Sequence, residues 1–442
     1  MLEVKQQNHI DELIEHDKKY FLHPSSSIKS QQEKGPEFIF TKGEGVYLED
    51  IEGKKVIDGL SSLWNVNVGH GRTELATVAT EQMSKLGYST AFGTVSHEPA
   101  IQLAKKLSEI SPGNLRATFF TSGGSEATDT AFKLVRHYWK VKGKPDKTKI
   151  IARKNAYHGL TIGSTSATGI EHFQRFIGSK APDFLHVEAF SHHALREAIL
   201  AQGPETIAAF IAEPVQGAGG VHVPPPEYFI EIRKICDEFD ILFIADEVIT
   251  GFGRTGKMFA MEHWNVTPDM MCFAKGVTSG YFPLGGVMLS ERMHQELIMY
   301  SNDALFHGFT YSGHPVACAV ALKNIDILEK EGILTNVSNM GEKLYLGLKK
   351  LVQTTNSVSE VRGLGLMAAI EFENEKTTEK LSIKVSKEAI KRGLICRNIE
   401  HAGQDSLVFA PPLIISNDEV DKLLNIVYDA IMEVENTIHK CV

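Results

Sequence analysis

The sequence predicts an α/β protein with a mostly parallel sheet flanked by helices, followed by a smaller α+β domain. Between about residues 115 and 290, short apolar segments alternate with helical patterns, as in sheets whose parallel strands are joined by helices. The run Ile241–Ala245 is continuously apolar, which is typical of a strand buried on both faces. The length of 442 residues accommodates one large domain and a smaller one.

We divide the chain into an N-terminal segment at 1–65, a large domain at 66–330 and a small C-terminal domain at 331–442. The N-terminal segment combines a helical pattern with short alternating strands, and we expect it to pack with the small domain. Strands of the large domain are predicted at 116–120, 149–152, 184–187, 207–212, 241–246 and 270–274. Strands of the small domain are predicted at 361–372, 394–397 and 407–410.

The composition is ordinary for a soluble globular protein, with 43% hydrophobic and 23% charged residues. A net charge of −9 argues against a nucleic-acid surface. The five cysteines are scattered and form no C-x-x-C pair, which favours a reducing cytosol and argues against a zinc site. Because the N-terminus is polar and no apolar stretch is long enough to span a bilayer, we expect a cytoplasmic enzyme without membrane partners.

Two polar residues follow predicted strands of the large domain. Asp246 ends the apolar run from Ile241, and Lys275 follows the run Met270–Ala274. Because ligands of open α/β sheets bind beyond the carboxyl ends of the strands, we expect both side chains at one edge of the sheet. A buried lysine can lose its proton and form a Schiff base with pyridoxal phosphate, while a carboxylate keeps the pyridine nitrogen protonated. The alternative is a structural ion pair.

The glycines of Gly251–Gly256 have the spacing of a dinucleotide-binding fingerprint and nearly that of a P-loop. The P-loop is excluded because Met258 stands where a Ser or Thr must bind magnesium. The dinucleotide interpretation is weak because Asp246–Thr250 separate the glycines from the strand, and because the motif lies outside the first βα unit. We interpret the segment as a loop over the edge of the sheet.

A strand, a Gly/Ser turn and a helix follow one another around Gly123, Gly124 and Ser125. The free N–H groups at a helix start, together with the helix dipole, bind phosphate. Neighbouring serines can add hydroxyl donors. The alternative is an ordinary N-capping turn, for which serine is common.

Four further residues are candidates for the same site. Glu213 follows a predicted strand, so it is expected at the same edge as Asp246. Tyr157 lies near a strand end, where an aromatic ring either stacks on a flat cofactor or belongs to the core. Trp64 lies in a Gly/Asn-rich loop and either lines a site or covers an apolar cluster. Arg397 either binds a substrate carboxylate or is a solvated surface residue.

These pieces, in this order, resemble the class III pyridoxal-phosphate aminotransferases of fold type I over nearly the whole chain. The resemblance implies a seven-stranded type of sheet. The segments that carry it are Leu63–Arg72, Phe119–Ala127, Tyr157–Gly159, Glu213–Gly217, Ala245–Val248, Gly251–Gly256, Ala274–Gly276 and Gly308–Pro315.

The resemblance implies a role for each matching residue. Lys275 is the Schiff-base lysine and proton carrier, and Asp246 pairs with the pyridine nitrogen. Val248 and Tyr157 enclose the ring. The turn Gly123-Gly124-Ser125 holds the phosphate, which Thr310 reaches from the neighbouring subunit. The resemblance therefore implies a homodimer with shared active sites. The sequence leaves open whether two such dimers pair into a tetramer. The family more usually has serine at the position of Gly123.

The substrates follow from the subgroup that the chain resembles most, the omega-amino acid–pyruvate aminotransferases. Trp64 then lines the pocket, and Arg397 binds the carboxylate of pyruvate or alanine. The donor is β-alanine, taurine or a simple amine, and the reaction is a ping-pong transamination. An alternative is 7,8-diaminononanoate synthase, which uses adenosylmethionine as donor. That enzyme usually carries two Trp residues at the positions that Leu63 and Trp64 occupy in this chain.

Two hypotheses from other classes are set against this one. An NAD-dependent oxidoreductase would use the glycines of Gly251–Gly256, and an inactive, cofactor-binding relative would have no turnover. The placement of the glycines opposes the first, and the intact Lys275 and Asp246 oppose the second.

Overall fold

The computed structural model describes residues 2–302, 304–373 and 380–441. Its N-terminal part forms two helices, a three-stranded antiparallel meander and a short helical turn at Trp64. The sequence predicts one helix and a loop before this meander, so the second helix is a difference. The elements are α1 (Leu2–Tyr20), α2 (Ile28–Lys34), β1 (Phe40–Glu44), β2 (Tyr47–Asp50), β3 (Lys55–Asp58) and α3 (Ser61–Trp64).

A seven-stranded sheet forms the centre of the molecule, in the order β4-β10-β9-β8-β7-β5-β6. Only β10 runs against its neighbours, so the predicted mostly parallel sheet is confirmed. The strands are β4 (Leu115–Thr121), β5 (Lys149–Arg153), β6 (Phe184–Val187), β7 (Ile207–Ala212), β8 (Leu242–Asp246), β9 (Met270–Phe273) and β10 (Gly285–Ser290).

Helices cover both faces of this sheet because its strands are apolar on both sides. Ile150 of β5 packs in the core cluster beneath one helical layer, and the next residue, Ile151, packs in the cluster on the opposite face. The helices of this part are α4 (Thr73–Leu86), α5 (Glu98–Ile110), α6 (Gly124–Val141), α7 (Ile162–Ala167), α8 (Glu171–Ile177), α9 (His192–Gln202), α10 (Tyr228–Glu238), α11 (Glu291–Tyr300) and α12 (Pro315–Lys330).

The C-terminal part is a smaller α+β unit. It contains α13 (Ile333–Thr354), β11 (Val358–Gly363), β12 (Ala368–Phe372), α14 (Leu381–Lys391), β13 (Leu394–Ile395), β14 (Arg397–Ile399), β15 (Ser406–Phe409) and α15 (Asn417–Cys441). Its sheet has the order β11-β12-β15-β14, whereas β13 extends the N-terminal meander by pairing in parallel with β3. The N-terminal and C-terminal parts of the chain therefore share one sheet.

Two predicted strands of this unit are wrong as single elements. The run 361–372 is a hairpin, because the chain turns at Gly365, which has a φ of +59°. The run 394–397 breaks at Cys396 into two short strands that belong to different sheets. Apolar patterning does not distinguish these arrangements from continuous strands.

Four of the five cysteines are buried and free, and the side chain of Cys441 lies outside the described residues. In the part of the chain that the structure describes, no helix combines the length and apolarity needed to cross a bilayer.

Candidate active site

A cavity of about 520 Å³ opens at the carboxyl-terminal edge of the central sheet. It collects nearly all the side chains that the sequence predicts for one site, although they come from distant parts of the chain. Gly123 and Thr310 are the predicted residues that are not part of its lining. Those that line it are Trp64, Gly124, Ser125, Tyr157, Glu213, Asp246, Val248, Lys275 and Arg397.

Lys275 lies in a single 3-10 turn directly after β9 and has a φ of +47°. No described residue accepts a hydrogen bond from its amine. Burial lowers the pKa of Lys275 to about 8, although the carboxylates of Asp246 and Glu213 oppose this effect. About a tenth of this amine is therefore uncharged at neutral pH, whereas almost none of an exposed lysine is.

Asp246 is the last residue of β8, and its side chain is almost fully buried. One carboxylate oxygen, Oδ2, is 2.7 Å from Nδ1 of His158. The other, Oδ1, accepts a bond of 3.2 Å from the backbone N–H of Val248. These two contacts fix the direction of the carboxylate at the floor of the cavity.

His158 is a site residue that sequence reasoning missed. Its ring is fully buried, and Nε2 has no hydrogen-bond partner among the described residues. Because the Asp246 carboxylate accepts hydrogen bonds, Nδ1 of His158 is the donor in the contact between them. The available signal was a histidine beside Tyr157 in the loop after β5, but pairing with β8 is a tertiary contact that spacing does not reveal.

Glu213 follows β7 and is buried against the wall of the cavity. Its carboxylate accepts bonds from the backbone N–H groups of Tyr157, at 2.9 Å, and Gly217, at 3.0 Å. Burial raises the pKa of Glu213, while the neighbouring His158 acts in the opposite direction. Glu213 therefore holds the loop that carries Tyr157.

The first turn of α6 offers an anion site. The N–H groups of Gly124, Ser125 and Glu126 have no acceptor within the described residues, and the dipole of this long helix adds positive potential. A Cβ on Gly124 would lie 2.8 Å from Cγ1 of Val248, so only glycine fits there. Gly123 has extended backbone, and a Cβ there would meet nothing within 4 Å.

The walls of the cavity are formed by Trp64, Tyr157 and Arg397. Trp64 is buried and has a φ of +64°. Arg397 is the first residue of β14, and no described residue accepts a hydrogen bond from its guanidinium. Burial lowers the pKa of Arg397 and raises that of Tyr157. Sequence reasoning also missed other lining residues that tertiary folding brings in, among them Pro24, Ser25 and Phe173.

Thr310 lies on an exposed loop away from the cavity of its own chain. Its carbonyl accepts a hydrogen bond of 2.7 Å from the hydroxyl of Tyr88. The loop also carries Phe306, which is 93% exposed, and Tyr311, which is 60% exposed. The expectation that Thr310 serves a neighbouring subunit stays a prediction.

The glycines at 251–256 do not form a nucleotide-binding turn. A Cβ on Gly253 would lie 3.0 Å from Leu334 and Leu413, and one on Gly256 would lie 2.9 Å from Ser338. The loop is therefore packed against α13 of the C-terminal part, which leaves no space for a pyrophosphate.

The arrangement fits pyridoxal phosphate. The first turn of α6 can hold a phosphate, Asp246 can accept a hydrogen bond from a protonated ring nitrogen, and Lys275 presents an amine that readily loses its proton. Val248 and Tyr157 supply apolar surface for a flat ring between these groups. Among the described residues, no group of three or more His, Cys, Asp or Glu side chains is placed to hold a metal ion.

Known proteins resemble the chain over most of its length. Residues 28–431 match the family described as aminotransferase class-III. A putrescine–pyruvate aminotransferase of Pseudomonas aeruginosa is 40% identical, with 92% of this chain and 93% of the relative covered. A transaminase structure from the marine bacterium Virgibacillus has a TM-score of 0.95 at 53% identity, covering 97% of this chain and 100% of its own. An (S)-enantioselective omega-transaminase of Thermomicrobium roseum has a TM-score of 0.92 at 43% identity, covering 96% and 98%.

Proposed function

Because the chain belongs to the class III aminotransferases, which depend on pyridoxal phosphate, we propose that it transfers an amino group from an omega-amino acid or amine to pyruvate. β-Alanine, taurine and simple amines are the proposed donors, and the two half-reactions alternate in a ping-pong sequence. The observation that carries this proposal is that Lys275, Asp246 and Arg397 line one cavity, where no described residue accepts a hydrogen bond from the Arg397 guanidinium.

Different residues of the chain bind different parts of the cofactor. The N–H groups at the start of α6 bind the cofactor phosphate, and the Asp246 carboxylate, oriented by His158, pairs with the ring nitrogen. Val248 and Tyr157, which line the same cavity, would flank a bound ring. When bound, the cofactor supplies an electron sink for the negative charge that develops at the substrate carbon.

Lys275 is the group that moves the proton. Its lowered pKa means that the free amine accepts a proton from the substrate carbon at neutral pH and donates it again nearby. Lys275 has a left-handed backbone and lines the same cavity as Asp246, and strained backbone of this kind is typical of functional sites. The reverse half-reaction uses the same amine in the opposite direction.

Arg397 provides the carboxylate specificity. Its guanidinium lies at the wall of the cavity, and no described residue accepts a hydrogen bond from it, so binding a carboxylate there gains bonds without breaking any among the described residues. Trp64 and Val215 give the cavity apolar surface that accepts the carbon chain of an amine. This combination favours an acceptor with a carboxylate and a donor that can lack one.

The names of similar proteins support the same substrates. The Pseudomonas aeruginosa relative is a putrescine–pyruvate aminotransferase, and the Thermomicrobium roseum structure is an omega-transaminase. We also propose that the protein is a homodimer, in which Thr310 of each subunit completes the phosphate site of the other. The exposed position of Thr310 supports this arrangement.

The proposal is tested by incubating the purified protein, reconstituted with pyridoxal phosphate, with pyruvate and each donor and measuring alanine. β-Alanine, taurine, putrescine and a simple aryl amine form the donor panel. 2-Oxoglutarate replaces pyruvate as the comparison acceptor, and glutamate is then the product measured. We expect alanine from at least one donor, and faster turnover with pyruvate. Turnover with 2-oxoglutarate alone would overturn the acceptor assignment.

A further inference from the structure

The glycine-rich loop after β8 carries Arg254, which the site described above does not use. Its side chain is fully buried. Nη1 donates to the carbonyls of Leu366 and Pro411, at 3.2 and 2.6 Å. Nη2 donates to Oγ of Ser61 and Oδ1 of Asn67, at 2.9 and 3.0 Å. All four acceptors are uncharged.

Burying a charge whose hydrogen-bond partners are all uncharged is costly, although the Asp58 carboxylate favours the charged form of Arg254. Apolar side chains of similar volume often replace even a buried ion pair without loss of stability. Burial lowers the pKa of Arg254 to about 9, which leaves the group charged at neutral pH. A planar guanidinium with several fixed donors is, however, suited to holding separate chain segments at set distances. The segments that the four bonds connect therefore indicate the role of Arg254.

Two of the acceptors belong to the segment that carries Trp64. Ser61, Ser62 and Trp64 have φ angles of 48°, 55° and 64°, and non-glycine residues keep such strained backbone only where the surroundings hold it. Oγ of Ser61 donates to the carbonyl of Ala410 at 2.7 Å while it accepts from Arg254. Arg254 is thus one of the groups that hold the strained segment in place.

The other two acceptors flank strands of the sheet that carries Arg397, because Leu366 lies in the turn between β11 and β12 and Pro411 lies just after β15. Pro411 follows β15 closely, and β15 pairs with β14 so that Arg397 lies opposite Val408. Arg254 therefore connects the wall that contains Trp64 with the wall that contains Arg397, from behind the substrate cavity.

Asn67 also connects Arg254 with the reacting lysine. Its amide donates to the carbonyl of Phe252 at 2.8 Å. A Cβ on Gly276 would lie 2.4 Å from the same amide nitrogen, so Asn67 packs directly against the residue after Lys275. The network of Arg254 thus reaches the segments that carry Trp64 and Lys275 and the sheet that carries Arg397, and Arg254 is not among the residues that line the cavity.

We propose that Arg254 is a positioning residue that sets the separation of Trp64 and Arg397, and thereby the preference for acceptors that carry a carboxylate. The inference rests on the proposed function for its substrate readout. Arg254 acts through the two walls, so its loss changes selectivity between acceptors more than it changes the binding of the cofactor.

The test compares two variants. Arg254→Lys keeps the charge but cannot reach four acceptors, and Ser61→Ala removes only one of those acceptors. Arg233→Lys is the control: Arg233 is largely buried and donates to Asp269 at 2.8 Å outside the cavity. For each reconstituted variant, kcat/KM is measured for pyruvate and for a carboxylate-free aldehyde, well below the melting temperature. The absorption spectrum reports cofactor binding.

We expect the pyruvate-to-aldehyde ratio to fall about tenfold in Arg254→Lys and two- to fivefold in Ser61→Ala, by analogy with the loss of one or two hydrogen bonds. The spectrum stays that of the wild type, and Arg233→Lys keeps the wild-type ratio. An unchanged ratio in Arg254→Lys would overturn the proposal. If that variant does not fold, the result for Ser61→Ala decides.

A second readout does not depend on the substrate. Amide hydrogen exchange should become faster in peptides that cover residues 60–68 and 406–415 of Arg254→Lys, but not in peptides of the central strands. Unchanged exchange in both segments would overturn the proposal even if activity fell. Failure of the wild type to use pyruvate would instead overturn the proposed function, and the exchange result would still decide the role of Arg254.

Discussion

Replacing His158 tests whether the orientation of Asp246 limits the reaction. The variant His158→Leu removes the donor that lies 2.7 Å from the Asp246 carboxylate, inside a site where both side chains are almost fully buried. A hydrogen bond to a charged group contributes about 1.5–3 kcal/mol. At about 1.4 kcal/mol for each factor of ten in rate, its loss slows the chemical step about 10- to 100-fold.

The assay is the single-turnover half-reaction with an amine donor, followed by the change in cofactor absorbance under saturating donor. Because Asn places an N–H group near the position of Nδ1, His158→Asn should recover part of the rate. The matched control is His186→Leu, since His186 lies on β6 and contacts the carbonyl of Ala167 instead.

The expected order of rates is wild type and His186→Leu, then His158→Asn, then His158→Leu. A loss of less than about twofold in His158→Leu, with full cofactor content, would refute the reasoning that Asp246 needs this histidine. Equal losses in the two leucine variants would point to a general effect of removing a buried ring.

Four further predictions follow from the site. The rate of reconstitution of the apoenzyme with cofactor, followed by absorbance, should rise about tenfold per pH unit up to about pH 8 and then level off, because Lys275 reacts when unprotonated and has a pKa of about 8. A rate that levels off only near pH 10 would contradict this. Gly124→Ala should weaken cofactor binding at least tenfold in a fluorescence titration, while Gly123→Ala, which meets no neighbour, should not; equal affinities would contradict the phosphate site. Mixing inactive Lys275→Ala with weakened Thr310→Ala should restore activity through hybrid dimers, measured as alanine formation, and no gain would contradict shared sites. Arg397→Leu should raise KM for pyruvate at least tenfold with little effect on a carboxylate-free amine, and equal losses in steady-state kinetics would assign Arg397 a structural role.

Much of the site could be predicted because parallel sheets place their strand ends together. Asp246 and Glu213 end apolar runs, and Lys275 follows one, so their convergence at one edge follows from the sheet topology. The start of α6 was recognisable because a Gly/Ser turn between a strand and a helix leaves N–H groups free. These predictions depend on local patterns that determine which end of an element a residue occupies.

The remainder depends on tertiary contacts that local patterns do not encode. The bond between His158 and Asp246 joins a loop to the end of β8, 88 residues further along the chain. Pro24 and Ser25 reach the cavity only because the connection between α1 and α2 folds over it. In the sequence, Arg254 is only one residue within the glycine spacing of Gly251–Gly256. Its four acceptors lie on three distant segments that only the tertiary fold brings together.

Lys275 is proposed both to carry the cofactor and to perform the proton transfer. The most direct measurement is borohydride reduction of the reconstituted protein, followed by proteolysis and mass spectrometry of the peptides. We predict that the yellow colour bleaches and that the added cofactor mass lies on the peptide containing Lys275, and that Lys275→Ala carries no added mass. Labelling of a different lysine, or equal labelling of Lys275→Ala, would contradict the assignment of Lys275 as the residue that carries the cofactor.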